Sequence, residues 1–281
     1  PRRRGALARA MAILTHFDRA KALGPQFDAR AHGRRAGSWK IGRREFMAGG
    51  ALAAGLGAVG VLAPGLILST QQFSTAKGEV RSVPLADGSV VWMNTGSRIR
   101  VKYGRSRRRV ELVAGEALFD VAKDPSRPFV VRANAMDVRA VGTSFTVSRL
   151  ADAPVEVMVR EGLVDLSRDA GPPVRLTPGA RALADASGAV RVSQVGVGGV
   201  LRALSWRKGM LDFDGVTLAE AAASFARYSD MQIVIDDPEL SGRSVTGLFS
   251  STNPAGFAQA VALSMNIKTR IEGDTVHLSR Q

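Results

Sequence analysis

The chain has no cysteine and only three histidines among its 281 residues. Without thiols there is no disulfide framework, no thiolate metal centre and no cysteine nucleophile. His16, His32 and His277 are widely spaced and form no HxxxH pair, so the ligand spacing of a histidine metal centre is missing too. Catalytic signatures are equally scarce. There is no convergent acid/base set, no nucleophile elbow and no phosphate loop, and the GVGG run at Gly196 to Gly199 is too short to cradle a phosphate. No enzyme, metal or cofactor is expected.

A third absence is local. No residue between Glu45 and Lys77 is charged, and Phe46 to Leu68 (FMAGGALAAGLGAVGVLAPGLIL) is apolar or glycine throughout except for Pro64. At about 1.5 Å rise per residue this run crosses a hydrocarbon layer of about 30 Å. A buried core helix of that length would normally show a polar stripe, and this one has none. One transmembrane helix over residues 46–69 is therefore expected. Its flanks are unequal, with Arg34, Arg35, Lys40, Arg43 and Arg44 crowded on the N-terminal side. The positive-inside rule then puts residues 1–45 in the cytoplasm and the rest outside it.

The charge that is present agrees with that topology. The formal net charge is +14, and residues 1–45 alone carry 12 Lys/Arg against three acids. Membrane topology and anionic lipid explain this basic end most simply, so no direct nucleic-acid partner is expected. Arg43-Arg44 followed by Phe46 and an apolar Gly/Ala-rich run resembles a twin-arginine export signal. The long segment before it argues for an uncleaved anchor. The glycines and Pro64 make local unwinding easy, as an intramembrane protease would require.

From Gly78 to about Val195 short β-branched or alternating runs succeed one another, with turn signals every eight to twelve residues. Asp87-Gly88 marks a hairpin. Arg98 to Tyr103, Arg109 to Leu112, Ala117 to Ala122, Phe129 to Ala133, Met136 to Ala140, Ser144 to Leu150 and Val155 to Arg160 are among the expected strands. The pattern predicts an antiparallel β sandwich or roll over 78–195. Beyond a linker at Gln194 to Gly199 the rhythm changes. Thr217-Leu218-Ala219-Glu220 is a capping box heading one helix, and Asn253-Pro254 opens a second that runs to about Met265. Strands at Gln232 to Asp236 and Arg243 to Phe249, and a closing hairpin about Gly273-Asp274, complete a small βαβ-βαβ domain over 205–281. The fold class is thus mainly β with a C-terminal α+β domain, preceded by one membrane helix.

Four stretches resemble the central domain of FecR-family regulators in order and spacing. They are VPLADGSVVWMNTGSRIRV (Val83 to Val101), RRVELVAGEALFDVAKDPSRPFVV (Arg108 to Val131), VRAVGTSFTV (Val138 to Val147) and VEVMVREGLVDL (Val155 to Leu166). The 205–281 part resembles the short N-terminal domain of secretins and TonB-dependent receptors, which such proteins also carry. Structural roles account for much of these motifs, with Gly88 and Gly115 in turns and Phe119 and Phe129 in a core.

The resemblance implies a single-pass inner-membrane protein with the N-terminus cytoplasmic and the C-terminal domains periplasmic. It would act as an anti-sigma factor on an extracytoplasmic-function sigma factor, with residues 1–45 a remnant of the sigma-binding domain. Its signal would come from the periplasmic signalling domain of an outer-membrane TonB-dependent transducer, for iron, siderophore or other nutrient uptake. The edge Thr246, Gly247, Leu248, Phe249 would bind that partner by strand addition. Gly142-Thr143 matches a site of self-cleavage in some relatives, in which the Thr143 hydroxyl attacks the Gly142 carbonyl. A tight turn opening a strand is the plainer role for that pair. A twin-arginine-exported periplasmic binding or scaffold protein is the competing function.

Overall fold

The computed structural model describes residues 70–281 apart from Asp152 and Ala170. Arg43, Arg44, Phe46 and the expected membrane segment lie outside the described residues. Among the described residues no helix is long and apolar enough to cross a membrane.

The first part is a curled β roll. Its strands are β1 (Gln71–Ser74), β2 (Arg81–Pro84), β3 (Val90–Met93), β4 (Arg98–Tyr103), β5 (Arg108–Asp120), β6 (Phe129–Ala133), β7 (Met136–Ala140), β8 (Ser144–Arg149), β9 (Val155–Glu161), β10 (Val164–Arg168), β11 (Val174–Leu176), β12 (Ala180–Ala184) and β13 (Val190–Gln194). The runs at Arg109 to Leu112 and Ala117 to Ala122, expected as two strands, are one 13-residue strand. Gly115 makes this continuity possible. It sits at φ +88°, and the register against β4 shifts by one residue beside it, so β5 bends without ending. Its first half pairs with β4 and β6, and its second half with β3 and β8. Two layers result, β1-β4-β5-β6-β7-β10-β11 and β2-β3-β5-β8-β9-β12-β13, which share β5. Every pairing in the roll is antiparallel except β5 with β6, which is parallel.

Alternation along the strands places the core between the layers. Ile99, Val101, Val110, Leu112, Phe119, Phe129, Phe145, Val157 and Leu166 are all buried there. Phe119 lies 6.0 Å from Phe129 and 5.4 Å from Phe145 between ring centroids. One charge is enclosed as well. The Arg108 side chain is fully buried and pairs with Asp87 Oδ2 at 2.6 Å. Its Nε donates to the Arg127 carbonyl at 2.8 Å and an Nη to the Ala122 carbonyl at 2.9 Å. Asp87 also accepts from Ser89 Oγ (2.6 Å) and Tyr103 Oη (2.9 Å). The Asp-Gly pair is thus a hairpin turn, as expected, and its carboxylate also reaches inward to neutralise a guanidinium.

The second part begins where a linker was expected. Gly196–Ala203 is instead helix α1, continuing into a 3₁₀ turn at Ser205–Lys208. Three glycines give it a poor intrinsic propensity. Burial of Val200 and Leu204 overrides that preference. Then come β14 (Met210–Thr217), α2 (Leu218–Ala226), β15 (Gln232–Ile235), the short α3 (Pro238–Ser241), β16 (Ser244–Ser250), α4 (Pro254–Met265), β17 (Lys268–Glu272) and β18 (Thr275–Ser279). The capping box is formed, with the Thr217 side chain accepting from the Glu220 N–H and the Glu220 carboxylate from the Thr217 N–H. Asn253 Oδ1 caps α4 through the Gly256 N–H at 2.9 Å. Two small sheets form, β14-β16 and β15-β18-β17, with β15 parallel to β18. Phe213, Phe225 and Phe257 fill the space between them and the helices; the last two are 4.6 Å apart.

The Asp87–Arg108 pair generates a prediction. Burial raises the Asp87 pKa, but hydrogen bonds from Ser89, Arg108 and Tyr103 outweigh it and hold the carboxyl below its ordinary value. A carboxyl lowered in the folded state contributes stability above its unfolded pKa, and that contribution fades as pH falls through the lowered value. Asp87→Asn leaves Arg108 buried and unneutralised and should cost about 3–5 kcal/mol in chemical denaturation near neutral pH. Asp87→Leu combined with Arg108→Met should cost less than either single change.

Candidate functional site

Three places are relevant to function: the Gly142-Thr143 link, the edge of β16, and a junction between the roll and the α/β part that sequence reasoning missed. The first two lie far apart in sequence, and no contact brings them together into one site. The twin-arginine motif is among the residues not described.

Val141, Gly142 and Thr143 join β7 to β8. Gly142 takes φ +66°, a conformation that favours glycine. Thr143 is buried, and its carbonyl accepts from the Val121 N–H at 2.9 Å. Its Oγ1 is buried without a hydrogen-bond partner. Room for the side chain comes from Gly162 at φ +81°, where a methyl group would lie 2.7 Å from Thr143 Cγ2. Next to it, Asp120 Oδ1 accepts from Ser144 Oγ at 2.6 Å and from Arg160 at 3.0 Å. A free hydroxyl therefore stands just after a peptide link of unusual conformation. No base touches that hydroxyl.

Thr246, Gly247, Leu248 and Phe249 lie on β16, which pairs with β14 alone. Its other edge carries no strand among the described residues. Leu248 projects outward and is 57% exposed, whereas Phe249 turns in against Phe257 at 4.9 Å. Thr246 Oγ1 accepts from the Gly215 N–H at 3.0 Å. Unpaired backbone groups next to an exposed leucine suit pairing with another strand.

The junction is built on the outer face of β3, β5, β8 and β9. Trp92, Leu118, Thr146 and Met158 stand in one cross-strand row there. Such a row would face water in a free roll, yet Leu118 and Thr146 are almost fully buried. Val200 of α1 and Leu204 just after it, then Trp206 and Tyr228, cover it. Arg207 stacks over Trp92, 4.4 Å from the ring centroid. At the rim, Glu116 Oε2 accepts from Arg227 at 2.8 Å and from Asn94 Nδ2 at 3.0 Å. Asn94 Nδ2 also reaches Tyr228 Oη at 2.8 Å. Thr95 Oγ1 donates to the Arg227 carbonyl and accepts from the Gly78 N–H, so the end of α2 is tied to two loops of the roll. Lys77 pairs with Asp230 at 2.9 Å beside it.

One signal for this contact was present in the sequence. Ala117-Leu118-Phe119 is a consecutive apolar run, the mark of a strand covered on both faces rather than one.

Residues 71–165 match the family described as FecR protein. This stretch, most of the roll, is similar to that family. Two crystal structures of a candidate anti-sigma factor from Parabacteroides distasonis ATCC 8503 are similar in fold, each at 26% identity. One covers 76% of this chain and 100% of its own with a TM-score of 0.63, the other 75% and 99% with 0.64. No curated protein matches the chain.

The junction sets a test at alkaline pH. Burial, with the Glu116 charge adding to it, pushes the Tyr228 phenol up to about 12, and Arg227 and Asn94 only partly offset this. A phenol raised above its ordinary value of 10.0 contributes stability below pH 10, lost as pH rises through about 12. The α/β part should therefore loosen from the roll across that window, seen as a change in tryptophan emission, and Tyr228→Phe should remove the transition. Glu116→Gln, which leaves Arg227 half-enclosed without its carboxylate, should lower stability by about 1–3 kcal/mol after allowance for partial exposure.

Proposed function

We propose that this chain regulates a sigma factor from the cell envelope, without being an enzyme. The observation that supports this most directly is the FecR-family match at 71–165, together with likeness to the whole crystallised chain of a candidate anti-sigma factor. In this reading residues 46–69 anchor the chain in the inner membrane, with residues 1–45 in the cytoplasm near an extracytoplasmic-function sigma factor and the two described parts in the periplasm. A TonB-dependent outer-membrane transducer presents its signalling domain to the α/β part, where the Thr246 to Phe249 edge accepts a strand. The Glu116–Arg227 and Asn94–Tyr228 contacts then give a route by which a shift of α2 is felt on β5 and the turn after β3. Relay across the membrane would proceed by conformational change or by an intramembrane protease, for uptake of iron or another nutrient.

Purification of the full-length protein in mild detergent should bring down a sigma factor through residues 1–45, and a TonB-dependent receptor through the α/β part. Leu248→Lys should lose the receptor and keep the sigma factor. Release of the protein by osmotic shock, instead of recovery with the inner membrane, would favour the exported periplasmic binding or scaffold protein and end the anchored reading.

Self-cleavage belongs to the same proposal. Thr143 Oγ would add to the Gly142 carbonyl carbon, and the Thr143 nitrogen would leave as the amine, taking up the hydroxyl proton. Water would then open the ester to a Gly142 carboxylate and restore the threonine hydroxyl. The unpartnered Oγ1 and the glycine conformation support it. Mass spectrometry should find a break between residues 142 and 143 that persists in Thr143→Ser and vanishes in Thr143→Ala. An intact wild-type chain would rule the step out.

A further inference from the structure

The solvent face of the β4–β5 hairpin is strongly basic, with Glu111 the one acid on it. Arg98, Arg100 and Lys102 on β4, Arg105 and Arg107 in the turn, and Arg109 on β5 are all exposed. The turn is closed by the Gly104 N–H to the Arg107 carbonyl at 2.8 Å. Lys102 stands directly across from Arg109. Like charges opposite one another on a sheet destabilise it. Among the described residues only Arg100 of this group has an acidic partner, Glu111 at 3.3 Å. Folding therefore gains nothing from the arrangement, and an external anionic surface would relieve it.

The position of β1 indicates which surface. β1 pairs antiparallel with β4, and its first residue, Gln71, lies opposite Val101. The chain thus enters the roll at the end of β4 where Lys102 and the Arg105–Arg107 turn lie. In sequence Gln71 comes three residues after Leu68, the end of the uncharged Phe46 to Leu68 run. Three extended residues reach about 10 Å at most. That is close to the Debye length of about 8 Å at physiological ionic strength.

We infer that the β4–β5 hairpin rests on anionic phospholipid headgroups where the chain leaves the membrane, and so fixes the orientation of the roll to the bilayer. The inference depends on reading residues 46–69 as a membrane segment. Basic side chains near an anionic leaflet each add to binding, and the attraction is screened within a Debye length.

Residues 70–281 can be tested alone, since the crystallised chain that matches 76% of this one, and is itself matched throughout, is a folded protein. The probe is co-sedimentation with vesicles of phosphatidylcholine, with or without 30% phosphatidylglycerol. Binding is expected only with phosphatidylglycerol, and it should fall about tenfold or more in 0.5 M NaCl. The variant Lys102→Thr, Arg105→Ser, Arg107→Ser, Arg109→Thr should lose at least tenfold in partitioning. It should unfold at the same or higher denaturant concentration, because it removes an opposed like-charge pair. Lys268→Ser with Arg270→Ser, on β17, should bind as the wild type does. Equal binding to both vesicles, or a hairpin variant that binds undiminished, overturns the inference. So does a hairpin that captures an acidic protein while ignoring phosphatidylglycerol. Fractionation of the full chain reports separately on the anchor. A full chain held in the membrane whose fragment ignores phosphatidylglycerol sinks the lipid contact alone. A fragment that binds while the full chain is released sinks the anchor, and with it the placing of the hairpin where the chain leaves the membrane.

Discussion

The bend at Gly115 is the constraint on which the rest of the molecule depends. A side chain there would lie 2.5 Å from Ser97 Cα, and the positive φ excludes most residues in any case. Because that position is glycine, β5 leaves one layer and enters the other without a break, and four strands find their partner on it. The next residue is Glu116. Its N–H is held by Ser97 Oγ at 2.9 Å, and its carboxylate leaves the roll to meet Arg227. One backbone conformation thus sets the curl of the roll and also aims the carboxylate that holds α2.

The contact between the two parts has features of both an interior and an interface. Its centre, from Leu118 to Trp206, is buried and largely apolar, while the rim from Lys77 to Asp230 is charged and open to solvent. That division is common at interfaces meant to be specific without being permanent. Net attraction comes from burial at the centre, whereas the polar rim fixes the rotation of one part on the other. On the roll the contact is carried by β3, the turn after it, β5 and β9, through Trp92, Asn94, Glu116, Leu118 and Met158.

Local chemistry made much of the architecture legible in the sequence. Asp87-Gly88, Thr217 with Glu220, Asn253-Pro254 and Gly273-Asp274 each act through atoms a few residues apart, and each took its expected form. The misreadings share a cause, which is that distant burial decided the outcome. Gly196 to Gly199 has the composition of a linker, and only the row of Leu118 and Met158 on the roll makes a helix worthwhile there. The bend in β5 looks like a turn until β8, a distant strand, supplies a partner for its second half. Of the functional places, the Gly142-Thr143 pair and the β16 edge could be named from motif and pattern. The junction depends on Asn94, Glu116 and Arg227, polar residues of common type whose meeting no spacing rule foretells.

The pairing order has a further consequence for the loop between β7 and β8. Strands before it, β3 and β5, are locked to strands after it, β8 and β9, while β10 returns to pair with β7. The roll is therefore woven across this loop, as in a split protein whose halves complement one another. A cut at residues 142–143 would create new termini without dividing the fold, and the two pieces would travel as one body. Only a pull along the chain, strong enough to strip β8 from β5 and β10 from β7, would draw the N-terminal piece away from the C-terminal one.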